Sequence, residues 1–326
     1  MARDNRIDTL KGILIVLVIL GHILMQNNVN TLNHAVMGVI YVFHMPLFIL
    51  ISGYLTRQPT QQTAGEMWRG VANVFIILII FHVLSWIMVY FYQGNVLRAM
   101  GNFPYGVLWY LLSLIYWRII LYYTPRVLHD RPALHLGIAL ALSVLCGLTH
   151  LGNTLSIQRT LNFYIFFLLG YYYRQGMLPT RWWHNNVLHG LVAMVSLPLL
   201  LWLFPRCGNL LNGADHYALS DIPQKLLILA ASISMSLLVF NITPDMKPMR
   251  QIGRDSLFYY VYHYFIFDLS LAPVIRGFQW PLTLPYMLLY CAITMAVLWL
   301  LSKNLVFRSL AQPMIKRRDR SPSRQE

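Results

Sequence analysis

Charge is what this chain has least of. Asp, Glu, Lys and Arg make up 11% of its 326 residues, less than half the share of an ordinary soluble domain. Acids are scarcer than bases, 11 against 25. The three cysteines, Cys146, Cys207 and Cys291, are scattered with no C-x-x-C, which excludes a disulfide framework and a cysteine-based zinc site. No internal repeat is visible, which weighs against transporters built from inverted repeats. The first apolar run contains Lys11 and His22 and no small-residue cleavage pattern, so no removable signal peptide is expected. A net charge of +14 would suggest nucleic acid in a soluble protein. Here the cations fall in short loops and the tail, so membrane orientation accounts for them and no nucleic-acid partner is expected.

What is present is apolar surface. Hydrophobic residues make up 57% of the chain and the mean hydropathy is +0.54, the composition of an all-α polytopic membrane protein. Hydropathy and turn residues predict about ten transmembrane helices in one bundle, near 10–25, 36–55, 71–92, 105–123, 133–150, 161–173, 186–204, 222–240, 255–275 and 282–306. Loops are brief, and Pro205–Asp221 is expected to be the longest on the outside. Residues 1–310 form one transmembrane domain in this reading, and 311–326 a basic, disordered cytoplasmic tail. Of the Lys and Arg residues, only Arg98, Arg159, Arg206 and Arg276 fall in one set of alternate loops, with Arg118 and Lys225 inside spans. By the positive-inside rule both termini are cytoplasmic.

Several polar residues interrupt the spans. Lys11 and His22 are eleven residues apart, close to three helical turns and about 16 Å on one face. An imidazole in lipid marks either a packing hydrogen bond or a site facing protein or water. His44 is a second one, in Phe43-His44-Met45-Pro46-Leu47-Phe48-Ile49-Leu50-Ile51-Ser52-Gly53-Tyr54. Pro46 should kink this span, and Ser52-Gly53 lets another helix or a ligand approach closely. Arg69 opens the third span, either as an orientation charge or as a phosphate ligand. His82 lies further along it. Trp109 and Tyr110 stand at the start of the fourth as interfacial anchors, and Arg118, deeper in, must snorkel or face a polar cavity. In the ninth, Asp255 or Ser256 reads as an N-cap. Tyr259, Tyr262 and His263 then share a stripe, and Asp268 is the one carboxylate inside a span.

These pieces, in this order, resemble the acyltransferase-3 family of integral membrane O-acyltransferases, in particular its branch similar to bacterial fucose O-acetylases. The resemblance runs from Asp8-x-x-Lys11-Gly12 and Gly21-His22 through the 43–54 segment. It continues with Leu108-Trp109-Tyr110-Leu111, Phe166-Phe167-Leu168-Leu169-Gly170, and Gly253-Arg254-x-Ser256-Leu257 leading to Tyr262-His263. The family's basic residue followed eleven positions later by histidine falls on Lys11 and His22, which implies His22 as the catalytic histidine. Its Arg-x-x-Arg is matched only by Arg69, because the second position is Ala72.

The resemblance implies acetyl-CoA as acyl donor and a carbohydrate hydroxyl as acceptor, in a surface polysaccharide or its lipid-linked precursor. It also implies a bacterial inner membrane. Candidate catalytic residues are then His22, His44 and Ser52, and candidate donor-binding residues Lys11, Arg69, Arg118 and Trp109. Membrane lipid is a partner and no metal is expected. Asp8 is too far along the helix to orient His22 and is expected to pair with Lys11. The alternative reading is a transporter or flippase for a glycolipid or organic anion, with the buried His and Arg as a relay.

Overall fold

The computed structural model describes residues 4–26, 30–93 and 103–312. Among them every regular element is helical. We number the main helices α1 (Asn5–Gln26), α2 (Thr31–Tyr54), α3 (Ala64–Gln93), α4 (Trp109–Tyr123), α5 (Pro132–Leu145), α6 (Ile157–Arg174) and α7 (Asn186–Asn212). They continue with α8 (Ile222–Ile242), α9 (Lys247–Arg254), α10 (Ser256–Ile266), α11 (Ala272–Gly277), α12 (Leu284–Leu301) and α13 (Leu305–Leu310). Of the tail expected over 311–326, residues 313–326 lie outside the described residues, as do Arg3 and Arg98.

Each of the ten hydrophobic segments is helical, and seven meet the length and apolarity needed to cross a membrane. The other three differ for visible reasons. The fifth is a shorter apolar helix, Pro132–Leu148. The sixth, α6, is diluted by Gln158, Arg159, Thr160 and Asn162 in its first turns. The ninth is divided by a π turn, Phe267–Leu271, between α10 and α11. The expected outside loop at 205–221 is shorter than the sequence suggested, because α7 continues past Pro205 to Asn212. It stops at Gly213, whose φ of 69° is the left-handed cap that glycine supplies without strain. Helix α2 likewise runs on through Pro46.

Lipid gives little hydrophobic drive for helix association, so close packing at small residues matters more. Two crossings show it. A Cβ on Gly53 of α2 would fall 1.9 Å from the carbonyl oxygen of Phe167, and one on Gly170 of α6 would fall 1.8 Å from that of Leu50. The second crossing joins α1 to α9: a Cβ at Gly12 would meet the Met249 carbonyl oxygen at 2.0 Å, and one at Gly253 the Asp8 oxygen at 1.7 Å. The glycines of Ser52-Gly53, Leu169-Gly170, Lys11-Gly12 and Gly253-Arg254 are therefore the contact points that assemble the bundle. Gly170→Ala should cost about 1–3 kcal/mol of stability through overpacking, read as a lower melting temperature in detergent. Gly137→Ala in α5 is the control, since its Cβ meets nothing within 4 Å, and it should melt like the native protein.

The α1–α9 crossing gathers one end of the bundle. Arg6 donates to the carbonyls of Phe240, Asn241 and Thr243, the unmet acceptors at the end of α8. Thr9 donates to Asp245 and receives the Met246 N–H. Arg250 holds the exposed Asp245 carboxyl below the usual carboxylate range. A depressed carboxyl stabilises at neutral pH, and that contribution is lost as pH falls through its lowered folded value. Asp255 is the N-cap residue of α10, as one of the two expected, but its carboxylate makes no capping hydrogen bond and sits 3.2 Å from Arg308.

Candidate active site

Two cavities lie along α2 and α4, the larger at the middle of α2 and the start of α4, the smaller where both helices end. The larger, about 700 Å³, is lined by His22 of α1, by Tyr41 and His44 of α2, by Trp109 of α4, by Arg159 and Phe163 of α6, and by Tyr260 of α10. The segments 103–107 and 153–156 form its rim. The smaller, about 570 Å³, is lined by Arg57 beyond the end of α2, by Glu66, Arg69, Gly70 and Asn73 of α3, and by Arg118, Leu121 and Tyr122 of α4.

In the larger cavity His22 is half-buried, one turn from Val18 and just before Met25, both of which also line the wall. Its ring lies 5.3 Å from that of His263, centroid to centroid. His44 is buried, with Nδ1 2.7 Å from the Ile40 carbonyl oxygen. A carbonyl only accepts, so Nδ1 carries the proton, and in the neutral ring Nε2 keeps the lone pair. Tyr41 stands edge-on to His44 at 5.0 Å. Trp109 stacks on Phe163 at 5.5 Å, and the Arg159 guanidinium lies over the Trp109 ring at 5.2 Å. In the nearby loop, partial burial pushes the Asp215 carboxyl up, and Arg159 pulls it back.

The smaller cavity is cationic for local reasons. Glu66 lines it, but its carboxylate is occupied at the start of α3. It accepts the Thr63 N–H while the Thr63 hydroxyl accepts the Glu66 N–H, a capping box. Arg69 follows one turn on. The Arg118 guanidinium reaches the same wall, 3.9 Å from where a Cβ on Gly70 would stand. Arg118 therefore faces a polar cavity, the second of the two readings its depth allowed.

Between the cavities lies a polar contact inside an aromatic layer. Ser52 donates to the Phe48 carbonyl oxygen, which leaves its oxygen to accept from the Tyr110 hydroxyl at 2.6 Å. The Tyr110 ring packs edge-on against Phe48 at 5.5 Å and Tyr260 at 5.4 Å.

The expected site residues thus separate into groups. His22, His44 and Trp109 share the larger cavity. Arg69 and Arg118 share the smaller one, so Trp109 is not with the cations it was grouped with. Ser52 is in the layer between. Lys11 lines neither; its ammonium lies 3.0 Å from Asp8, the pairing the sequence suggested, with Arg254 3.8 Å from the same carboxylate. His82 accepts the Tyr105 N–H through Nδ1 and so fixes the rim of the larger cavity. The Asp268 side chain lies outside what is described. Sequence reasoning missed Arg57, Tyr41, Tyr260 and the site role of Arg159. For Arg159 a signal existed: it is one of the few cations on the side of the membrane that otherwise lacks them. Among the described residues no three His, Cys, Asp or Glu side chains gather as a metal-binding set.

The membrane bundle thus carries one cavity lined by imidazoles and another lined by arginines. The family follows from comparison: a model described as an acyltransferase domain matches residues 4–303, and the chain belongs to the acyltransferase-3 family. The family's domain is described as an acyltransferase domain, which favours the acyltransferase reading over the transporter one. Among curated proteins it is similar to Nodulation protein NolL of Sinorhizobium fredii (strain NBRC 101917 / NGR234). The two are 33% identical over 128 residues, 35% of this chain and 34% of that protein. It is also similar to Nodulation protein NolL of Mesorhizobium japonicum (strain LMG 29417 / CECT 9101 / MAFF 303099), 44% identical over 73 residues, 20% of each chain. The chain thus spans about a third of the first relative's length and a fifth of the second's. No solved structure matches.

Proposed function

We propose that this chain is a ten-span O-acyltransferase of the bacterial inner membrane. It takes a small acyl group, acetyl in the simplest case, from acyl-CoA and passes it to a carbohydrate hydroxyl of a surface polysaccharide or its lipid-linked precursor. Residues 1–310 form the catalytic domain, with both termini cytoplasmic and 311–326 a basic tail on the anionic leaflet. The observation that carries the reading is the pair of cavities on α2 and α4, arginine-lined at one end and imidazole-lined at the other. From Arg118 back to Trp109 is nine residues of α4, about 13 Å of helix and of the order of an extended pantetheine arm.

Arg57, Arg69 and Arg118 hold the donor's phosphates, a task for which guanidinium forks are suited. The Ser52–Tyr110 hydrogen bond closes the layer between the cavities, so it opens to admit the neutral arm, and the thioester then reaches the cavity of His22. Trp109, Tyr41, Phe163 and Tyr260 offer aromatic faces to the acceptor sugar, with amphipathic tyrosines able to bond its hydroxyls. His22 takes the hydroxyl proton as the oxygen attacks the thioester carbonyl carbon. The new C–O ester bond forms, the C–S bond breaks, and the CoA sulfur leaves with the proton that His22 returns. His44, with Nδ1 tied to Ile40, uses Nε2 to orient the acceptor hydroxyl. Lys11 has its charge matched by Asp8 and contributes less to phosphate binding than the arginines do.

Profiling cell-surface glycans with and without the gene tests this: alkali-labile acyl esters should disappear with the gene, and an unchanged ester profile would contradict it. The topology has its own test. A cysteine placed at Asp215 should react with an impermeant thiol reagent on intact cells, while tags on both termini should be reached only after the membrane is opened. Labelling of position 215 solely from the cytoplasm would overturn the ten-span arrangement.

A further inference from the structure

His263 is a buried titratable group that the reaction above does not use. It lies on α10, fully buried, with Nδ1 2.6 Å from the Tyr260 carbonyl oxygen. That nitrogen must donate, because a carbonyl cannot, so in the neutral ring Nε2 is an acceptor only. This Nε2 is buried and has no hydrogen-bond partner among the described residues. A buried polar atom without a partner calls for an explanation. The ring next to it supplies one: His22 lies 5.3 Å away, centroid to centroid, at an interplanar angle of 46°. Ring nitrogens lie about 1 Å outside the centroids, so with a His22 nitrogen and His263 Nε2 turned toward each other the two would stand about 3 Å apart, hydrogen-bond distance. The backbone of α10 fixes the His263 tautomer, and His263 in turn can fix that of His22.

We propose that His263 is a positioning residue for His22, accepting one His22 N–H so that the other His22 nitrogen presents its lone pair to the acceptor hydroxyl. The inference rests on the reading of His22 as the base. Its consequence follows the proton. When the hydroxyl O–H breaks and a second N–H forms on His22, the first N–H is already held by His263. The ring therefore stays oriented while it is charged, and it gives the new proton to the departing sulfur. No net proton reaches His263, whose Nδ1–H stays on the Tyr260 carbonyl throughout. The pair works as an orienting partner and a base, the division of labour seen wherever a second group sets a catalytic imidazole's tautomer.

Two substitutions separate this from packing. In His263→Asn the amide N–H can replace Nδ1–H toward Tyr260, but nothing remains at the Nε2 position. In His263→Gln the longer side chain carries its amide oxygen to where Nε2 stood, so the acceptor is kept. Positioning predicts that the Asn variant loses kcat by about tenfold to a hundredfold, as a misplaced base does, with the KM for acetyl-CoA unchanged. It predicts that Gln restores most of the loss. A packing role, governed by volume, predicts that Asn melts lower than Gln while each variant, once folded, keeps the native kcat, so equal kcat in both folded variants overturns the proposal.

If the Asn variant does not fold, a measurement that leaves His263 in place decides. In ¹⁵N-histidine-labelled protein the His263 Nε2 resonance should stand at the hydrogen-bonded position and move downfield in His22→Phe. An unmoved resonance contradicts the proposal. Native-level activity of His22→Gln would instead remove the reading beneath it. An inactive His22→Gln beside two fully active His263 variants removes this inference alone.

Discussion

His22→Gln protein is expected to reach the membrane in normal amount, melt near the native temperature and transfer no acyl group. Loss of a general base removes about 10² to 10⁴ in rate, enough to bring a slow membrane enzyme below detection. The half-buried setting of His22 makes the substitution readable. The side chain lines a cavity wall and is not locked into the core, and glutamine keeps both a polar end and comparable volume. It cannot take up a proton. His22→Ala should be equally inactive. A packing role would give the opposite ranking, with Gln active and Ala unstable. Measuring acetyl-CoA binding in the same preparations separates the two: the Gln variant should bind donor with native affinity, because the arginine cavity is untouched.

Arg118→Ala should have the second-largest effect, and a different one. Charge-assisted hydrogen bonds contribute about 1.5–3 kcal/mol each, so loss of Arg118 should raise the KM for acetyl-CoA by about tenfold to a hundredfold. Arg69→Ala should act in the same direction. Acetyl-pantetheine, which lacks the nucleotide phosphates, should be used equally well by native and variant protein. Lys11→Ala should cost donor affinity less, because Asp8 already neutralises that ammonium at 3.0 Å. An Arg118 variant equally impaired with both donors would show that Arg118 does not read phosphate. A Lys11 variant more impaired than Arg118→Ala would return the phosphate site to the α1–α9 crossing.

Much of this architecture can be read from the chain itself, for identifiable reasons. Apolar runs of bilayer length announce spans, and ten hydrophobic segments become ten helical stretches. A small-residue pair announces a contact, and Ser52-Gly53 proves to be a crossing point with Gly170, whereas the crossing at Gly12 and Gly253 was not read from the sequence. What one sequence cannot convey is which helices meet. Lys11 and His22 share a helix face, which suggests one continuous site, yet the polar stripe is divided by neighbours far away in sequence. Asp8 and Arg254 hold Lys11 at one crossing, while His44, Trp109, Arg159 and Tyr260 enclose His22 at the other end. Arg159 was visible as a cation on the side that lacks them, but only the folded chain sets it over Trp109. The extent of α7 was hidden because Pro205 looks like a helix stop, whereas Gly213 is the one used.

The central claim is that donor and acceptor meet from opposite faces of the membrane, the thioester crossing the layer once the Ser52–Tyr110 hydrogen bond opens. Sealed vesicles of defined orientation test it most directly. With the cytoplasmic face outward, [¹⁴C]acetyl-CoA in the medium should label an alkali-labile ester on glycan enclosed within the vesicle, and vesicles carrying His22→Gln should stay unlabelled. Vesicles of the reverse orientation should take up no label until they are opened. Equal labelling from both orientations, or labelling confined to glycan on the donor's own side, would contradict the two-cavity mechanism.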